Sequence, residues 1–234
     1  MYSNGTKAKA AAPRLLSPTP KAGKRLAPTL RAEQIVRGAV HFFAEHGFSG
    51  QTRELANELG ISNGLLYRYF PSKEALIDRV FEEVFLRRWN PKWQSIIADR
   101  RRPLLERLKV FYVEYSKLPL DYEWGRIYLH AGLAGASINQ RYIRIANERI
   151  FKPVMNELRR EFGAPSLKKV PMTEPELELV WSLHGSIFYI GIRKWVYHVK
   201  VPADIDAAIE QLVDSLYNNA RTVIHKTFLR KKRA

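Results

Sequence analysis

The sequence predicts an all-α protein: an N-terminal three-helix unit built around a helix-turn-helix, followed by a larger C-terminal helical domain. Three observations predict it. Apolar residues recur every three to four positions through most of the chain, and no run alternates with the period of a strand. Proline and glycine fall between these periodic segments rather than inside strand-length runs. The 234 residues are 46% hydrophobic, enough for a proper core.

Residues 1–28 come first, with Pro13, Pro18, Pro20 and Pro28 among Ala, Ser, Thr and Lys. That mixture buries too little apolar area to offset chain entropy, so the segment is expected to be a disordered basic arm. A first helix is expected from Thr29 to His46, with Ile35, Val36, Ala39, Phe42 and Phe43 on one face and Gly47 as its stop. Thr52 to Phe70 then reads as two short helices joined by a tight turn. Leu55, Ala56 and Leu59 form the inner face of the first, Gly60 supplies the positive φ that ends it, Ile61 packs across the turn and Ser62 caps the second. The second leaves Asn63, Gly64, Leu65, Tyr67 and Arg68 outward while Leu66 and Phe70 turn inward. A polar, aromatic surface on so rigid a support suits entry into a DNA major groove.

Ser72 is the expected cap of a fourth helix running from Lys73 to about Arg88. Its stripe of Leu76, Ile77, Val80, Phe81, Val84 and Phe85 is wide enough to pack on two sides, as a connector between domains would. Further helices are expected at about 103–118, 123–136, 139–162, 174–198 and 204–228, with breaks at Pro119, near Gly135, from Gly163 to Pro175 and at Pro202. Asp204 is the expected cap of the last. The resulting domains are 29–88 and 89–229, with a basic tail at 230–234. Leu183 to Val199 is the longest apolar stretch, but Arg193 and Lys194 interrupt it, so a buried helix is expected rather than a membrane span.

Net charge is +16, and its distribution says more than its size. Residues 1–30 carry six Lys/Arg and no acid, and residues 221–234 carry another six and no acid. Residues 31–90 hold eight Lys/Arg against eight Asp/Glu, so the helix-turn-helix sits on a neutral module. Attraction to phosphate then depends on the arm, unless the arm is only a solubilising tail. There is no cysteine, which excludes disulfides, thiolate metal sites and cysteine nucleophiles. Nothing at the N-terminus has the pattern of a secretion signal, so a cytoplasmic protein with no membrane partner is expected.

The order of motifs resembles the TetR family of transcription regulators. The resemblance rests on Phe43-Ala44-Glu45-His46-Gly47-Phe48, Thr52-Arg53-Glu54-Leu55-Ala56, Gly60-Ile61-Ser62, Leu66-Tyr67-Arg68-Tyr69-Phe70 and Ser72-Lys73-Glu74-Ala75-Leu76, over residues 31–77. Gln51 departs from the pattern, standing where many members carry the first of two threonines. The resemblance implies that Thr52 caps the second helix beside a phosphate, that Arg53 reaches a base edge, and that Tyr67 and Lys73 grip the DNA backbone. It also puts Asn63, Gly64, Leu65 and Arg68 on the recognition face, where Asn suits adenine, Arg suits guanine and Leu a thymine methyl. Ser62 and Tyr69 complete the DNA-binding set, Tyr69 also suiting a role in packing. A homodimer on a palindromic operator, formed through the last two helices, is the implied assembly. Those helices offer Leu177, Val180, Leu183, Ile187, Ile209, Leu212, Val213 and Leu216.

The C-terminal domain is rich in Tyr and Trp, which fill cores but also carry polar handles. Tyr115, Trp124, Tyr128, His130, Trp181, His184 and Phe188, with Glu123 and Arg126 nearby, are the candidate lining of a pocket for a small apolar or aromatic effector. Gly132, Gly135, Gly185 and Gly191 lie inside helical patterns and mark close helix approach or a cavity wall. No catalytic residue and no cofactor is expected: a phosphate-cradling loop ending in Lys-Ser/Thr, GxGxxG and HExxH are missing from the sequence, and the GxSxG match at Gly60-Ile61-Ser62-Asn63-Gly64 falls in the turn between two expected helices, not after a strand as a nucleophile elbow requires. Arg100-Arg101-Arg102 suits either an anionic partner or a solvated linker. The competing reading is a helix-turn-helix protein that organises DNA or binds a partner without sensing a small molecule, and a filled core between the middle helices would favour it.

Overall fold

The computed structural model describes residues 27–229; the basic arm, apart from its last two residues, and the 230–234 tail lie outside the described residues. Ten helices make up the architecture within them. The first four are α1 (Pro28–His46), α2 (Thr52–Glu58), α3 (Asn63–Tyr69) and α4 (Lys73–Phe81), the last continuing through a π-helical turn, Glu82–Leu86. Then come α5 (Lys92–Ala98), α6 (Leu104–Ser116), α7 (Tyr122–Leu133) and α8 (Ile138–Ala146, a π-helical turn at Asn147–Phe151, then Lys152–Glu161). Last are α9 (Glu174–Trp195) and α10 (Ile205–Ile224, ending in a π turn at His225–Leu229).

The head packs as its apolar pattern requires. Ile35, Val36, Phe42 and Phe43 of α1 are buried with Leu55, Ala56 and Leu66, and Phe48 folds back to stack on Phe43 at 5.0 Å. α2 approaches α1 so closely that a Cβ on Gly38 would lie 2.1 Å from Leu59 Cδ2. Helix α1 begins at Pro28, one residue before the expected start, because proline is preorganised for the first helical position. Cap residues behave as expected at Ser62, Ser72 and Asp204, whose side chains accept from the amides of Leu65, Ala75 and Ala207.

The second domain departs from expectation at α5, at Pro175 and at the end of α9, and holds to it across Pro153. Helix α5 was not foreseen; Pro91 precedes it and arginines follow it, leaving too short a window for periodicity, yet Trp93 and Ile97 are buried. Pro153 lies within the helix expected at 139–162 and would remove an amide and clash with the preceding turn; the π turn just before it absorbs that defect without a break. Pro175 does not interrupt the chain but occupies the first turn of α9, where Thr173 and Glu176 form a capping box. That helix ends at Trp195 and His198 turns left-handed at φ 53°, three residues short of the expected 198.

Arg159 is the polar hub of this domain. Fully buried, it pairs with the equally buried Glu176 at 2.6 Å and donates to the carbonyls of Pro165, Val170 and Pro171. It thereby ties the end of α8, the loop after it and the start of α9. Val180, Leu183, Ile187, Ile209, Val213 and Leu216, offered by the sequence as dimer contacts, are buried within the single chain; α9 and α10 pack against each other, α9 also against α7 and α10 against α6. Only Leu177 and Leu212 of that set remain half-buried. No helix among the described residues is long and apolar enough to cross a membrane.

Candidate nucleic-acid interface and helical-domain cavity

The helix-turn-helix presents its candidate residues from two short, well-anchored helices. Gly60, at φ 63°, turns the chain after α2, and the Ile61 amide reaches back to the Ala56 carbonyl at 3.0 Å. Ser62 opens α3, whose inner side is held by Leu66 and Phe70. Asn63, Gly64 and Arg68 are exposed on the opposite side, Leu65 is half-buried beside them, and Arg53 is exposed on α2. Arg53, Asn63 and Arg68 make no side-chain hydrogen bond or ion pair among the described residues, so their polar groups are free to meet a base edge.

Three residues sit differently from what the resemblance implies. Thr52 is not the cap of α2: Gln51 occupies that position, and its backbone N–H donates to the Glu54 carboxylate at 3.0 Å. As the first helical residue, Thr52 instead shares a hydrogen bond with the Tyr67 hydroxyl at 2.9 Å, joining α2 to α3 at the exposed side. Lys73 donates to the carbonyls of Phe48 and Gly50, the latter at 2.9 Å, so two of its three N–H groups hold the α1–α2 loop. Tyr69 is half-buried and packs on the core, whereas Tyr67 is 41% exposed.

The second site is a cavity between α6, α7, α8 and α9. Tyr115, Trp124, Tyr128, Trp181, His184 and Phe188, six of the seven candidates, line a partly open space of about 90 Å³. Trp124 stacks on Tyr128 at 4.9 Å, and Phe188 meets Tyr128 edge-on at 5.3 Å. Tyr142, which the sequence did not single out, joins the lining and shares a hydrogen bond with Tyr115 at 2.8 Å. Both hydroxyls are pushed above the usual tyrosine range, burial being the main cause. His184 is pushed down to about 4 by burial, against a smaller opposing effect from the Val180 carbonyl. Gly185 lies on the cavity wall, whereas at Gly191 an added Cβ would come within 2.8 Å of the Pro119 carbonyl oxygen.

His130 is set apart from this group, and so are Glu123 and Arg126. Arg126 donates to the carbonyls of Ala44 and Glu45 at the end of α1, at 2.6 and 3.3 Å. Tyr122 donates to the Glu45 carboxylate, and the His130 ring lies where a Cβ on Gly47 would fall, at 2.8 Å. Burial, reinforced by the Arg126 charge, pushes His130 below its usual range. Glu123 pairs with Arg88 at 2.8 Å. The spacing contained this signal: 122, 126 and 130 share one helix face, while 124 and 128 share another. α7 therefore carries the cavity wall on one side and a clamp on the N-terminal helical unit on the other. Phe85, in the π turn of α4, packs against Trp124 at 5.1 Å and Tyr142 at 5.5 Å, giving the connector its own contact with the cavity wall.

Residues 35–80 match the family model for bacterial regulatory proteins of the tetR family. The helix-turn-helix domain therefore matches the TetR family. It is 28% identical over 92 residues to the HTH-type transcriptional repressor KstR2 of Mycolicibacterium smegmatis, a stretch covering 39% of this chain and 44% of that protein. It is 44% identical over 48 residues to the uncharacterized HTH-type transcriptional regulator YerO of Bacillus subtilis, covering 20% of this chain and 17% of that protein. The match thus spans less than half of either curated relative. Beyond the head the likeness is one of fold: a TetR-like transcriptional regulator from Rhodococcus sp. RHA1 superposes with a TM-score of 0.57 at 18% identity, over 84% of this chain and 96% of that one.

Proposed function

We propose that this chain is a TetR-family, sequence-specific DNA-binding regulator of transcription, a repressor that acts as a homodimer and is released from its operator by a small molecule. The observation that carries the DNA-binding part is the exposed face of α3, where Asn63 and Arg68 stand without side-chain partners among the described residues on a helix fixed by Ser62, Leu66 and Phe70. Two such heads one DNA turn apart, or a multiple of it, give palindromic specificity.

The cavity supports the sensing part and disfavours the reading without an effector, which expects a filled core. At about 90 Å³ it is smaller than the roughly 300–1,000 Å³ of pockets that hold drug-sized ligands, so an effector must widen it. Widening moves Trp124 and Tyr128 on α7 and displaces Phe85 on α4, and both helices are fastened to the head. An effector that binds the widened form more tightly than the DNA-bound form shifts the population toward release.

Selection from a randomised duplex library tests the first part. Enrichment of a palindrome, altered by Arg68→Ala, is the expected result; failure to enrich any sequence would sink the reading. Footprinting of DNA flanking the coding region, with and without an effector panel, tests release.

A further inference from the structure

The cavity has a definite chemical character. Trp181, His184 and Phe188 stand on one face of α9, and α7 supplies the stacked pair Trp124 and Tyr128 opposite. No Lys, Arg, Asp or Glu is among the described lining residues, so a charged ligand would lie without a counter-charge in apolar surroundings, which is costly; the Trp124 indole N–H, buried without a partner among the described residues, offers a neutral donor only. The hydroxyls of Tyr115 and Tyr142 share a hydrogen bond, while that of Tyr112, whose ring packs on His184 at 5.6 Å, is buried without a partner among the described residues.

His184 is different. Its Nδ1 lies 3.0 Å from the Val180 carbonyl. A carbonyl only accepts, so Nδ1 carries the proton and Nε2 presents a bare lone pair on the edge of the ring away from its own helix. That Nε2 has no hydrogen-bond partner among the described residues and is shielded from solvent, so a ligand reaches it only as the cavity widens. Phe151 at 4.4 Å and Tyr115 at 5.3 Å hold the ring in place. A buried acceptor left empty is costly, and a ligand that fills it recovers that cost.

We propose that the cavity takes an uncharged, flat aromatic molecule whose hydroxyl or ring N–H donates to His184 Nε2. The proposal rests on the effector reading above and deepens it by naming the ligand chemistry. Rings suit the Trp124–Tyr128 stack and the edge of Phe188, a single donor suits the open His184 acceptor, and a carboxylate would face the Nε2 lone pair repulsively. Because burial keeps His184 neutral, the acceptor is present throughout the physiological pH range.

Calorimetry on the full chain with three matched probes tests this: p-cresol, 4-methylanisole, which lacks the donor, and p-toluate, which is charged. The expected result is p-cresol binding about tenfold or more tighter than 4-methylanisole, the size of one hydrogen bond to a buried acceptor, with no saturable heat from p-toluate. His184→Phe, which keeps a ring and removes the acceptor, should erase the preference, and His184→Gln should restore part of it. Tighter binding of p-toluate, equal binding of p-cresol and 4-methylanisole, absence of binding by all three, or an undiminished preference in folded His184→Phe would each overturn the proposal. The wild-type probe series decides the matter even where a variant fails to fold. Operator affinity measured in parallel keeps the two readings apart: p-cresol binding that leaves DNA affinity unchanged upholds the ligand chemistry and overturns the effector role.

Discussion

The two candidate sites of this chain are built in opposite ways. The head displays Arg53, Asn63 and Arg68 in solvent with no side-chain partners among the described residues, on helices whose stability comes from Leu55, Leu66 and Phe70 beneath them. The helical domain encloses its candidate residues, and there the same side chains both line the cavity and form the core. Recognition and stability are therefore separable in the head and inseparable in the helical domain. Each expectation below sharpens or breaks that contrast.

The largest effect belongs to Arg159. Removing its guanidinium leaves Glu176 charged and buried, and burial works to raise that carboxyl while hydrogen bonds from Arg159 and Thr173 hold it below the usual range. Arg159→Met should cost about 3–5 kcal/mol of unfolding free energy by urea titration. A loss within the scatter of surface substitutions would show that the enclosed domain tolerates change as freely as the head.

His184 gives a smaller effect with a definite sign. Its folded value of about 4 lies below the usual 6.5, so the unfolded chain binds the proton first as pH falls. Stability is then full above pH 6.5 and declines as pH falls toward 4. Between pH 7 and 5 this one group should remove about 2 kcal/mol, a decline that His184→Phe abolishes. Parallel stability curves for wild type and variant over that range would mean that the ring is not buried in its neutral form.

The same contrast explains what could be seen in the sequence. The head was legible because its signals are local: Gly60, Ser62 and Ser72 act within a few residues of themselves, and each does in space what its type suggests. Six of the seven cavity candidates converge as aromatic residues at helical spacing, but His130, Glu123 and Arg126 do not, because only the packing of α7 on α1 decides which face of α7 looks inward. The stripes of α9 and α10 were open between an inward and an outward role for the same reason, and the single chain buries them. Lys73 carried no local signal for its contacts with Phe48 and Gly50, which lie more than twenty residues earlier.

If recognition is separable in the head, Arg53→Ala and Asn63→Ala should leave unfolding free energy within about 0.5 kcal/mol of wild type. Each should nonetheless change discrimination at one base pair by about 1–3 kcal/mol in a binding selection. An unchanged preferred sequence in both variants would remove these residues from the recognition surface. A large loss of stability would break the contrast from the other side.

Lys73 is where the two modes meet, and it gives the smallest effect. As a phosphate contact alone, Lys73→Met should weaken binding to all sequences and reduce the salt slope of DNA affinity by about 0.9, without touching stability. As a tie on the α1–α2 loop, it should lower unfolding free energy by about 1 kcal/mol, the net worth of a hydrogen bond to a carbonyl. Two of its three donors already face Phe48 and Gly50, so the stability loss is expected, with a slope change well below that of a full phosphate contact. Such a result would make Lys73 a positioning residue that sets the angle at which α2 and α3 meet DNA. A full slope change at unaltered stability would instead return it to the exposed recognition set beside Arg53.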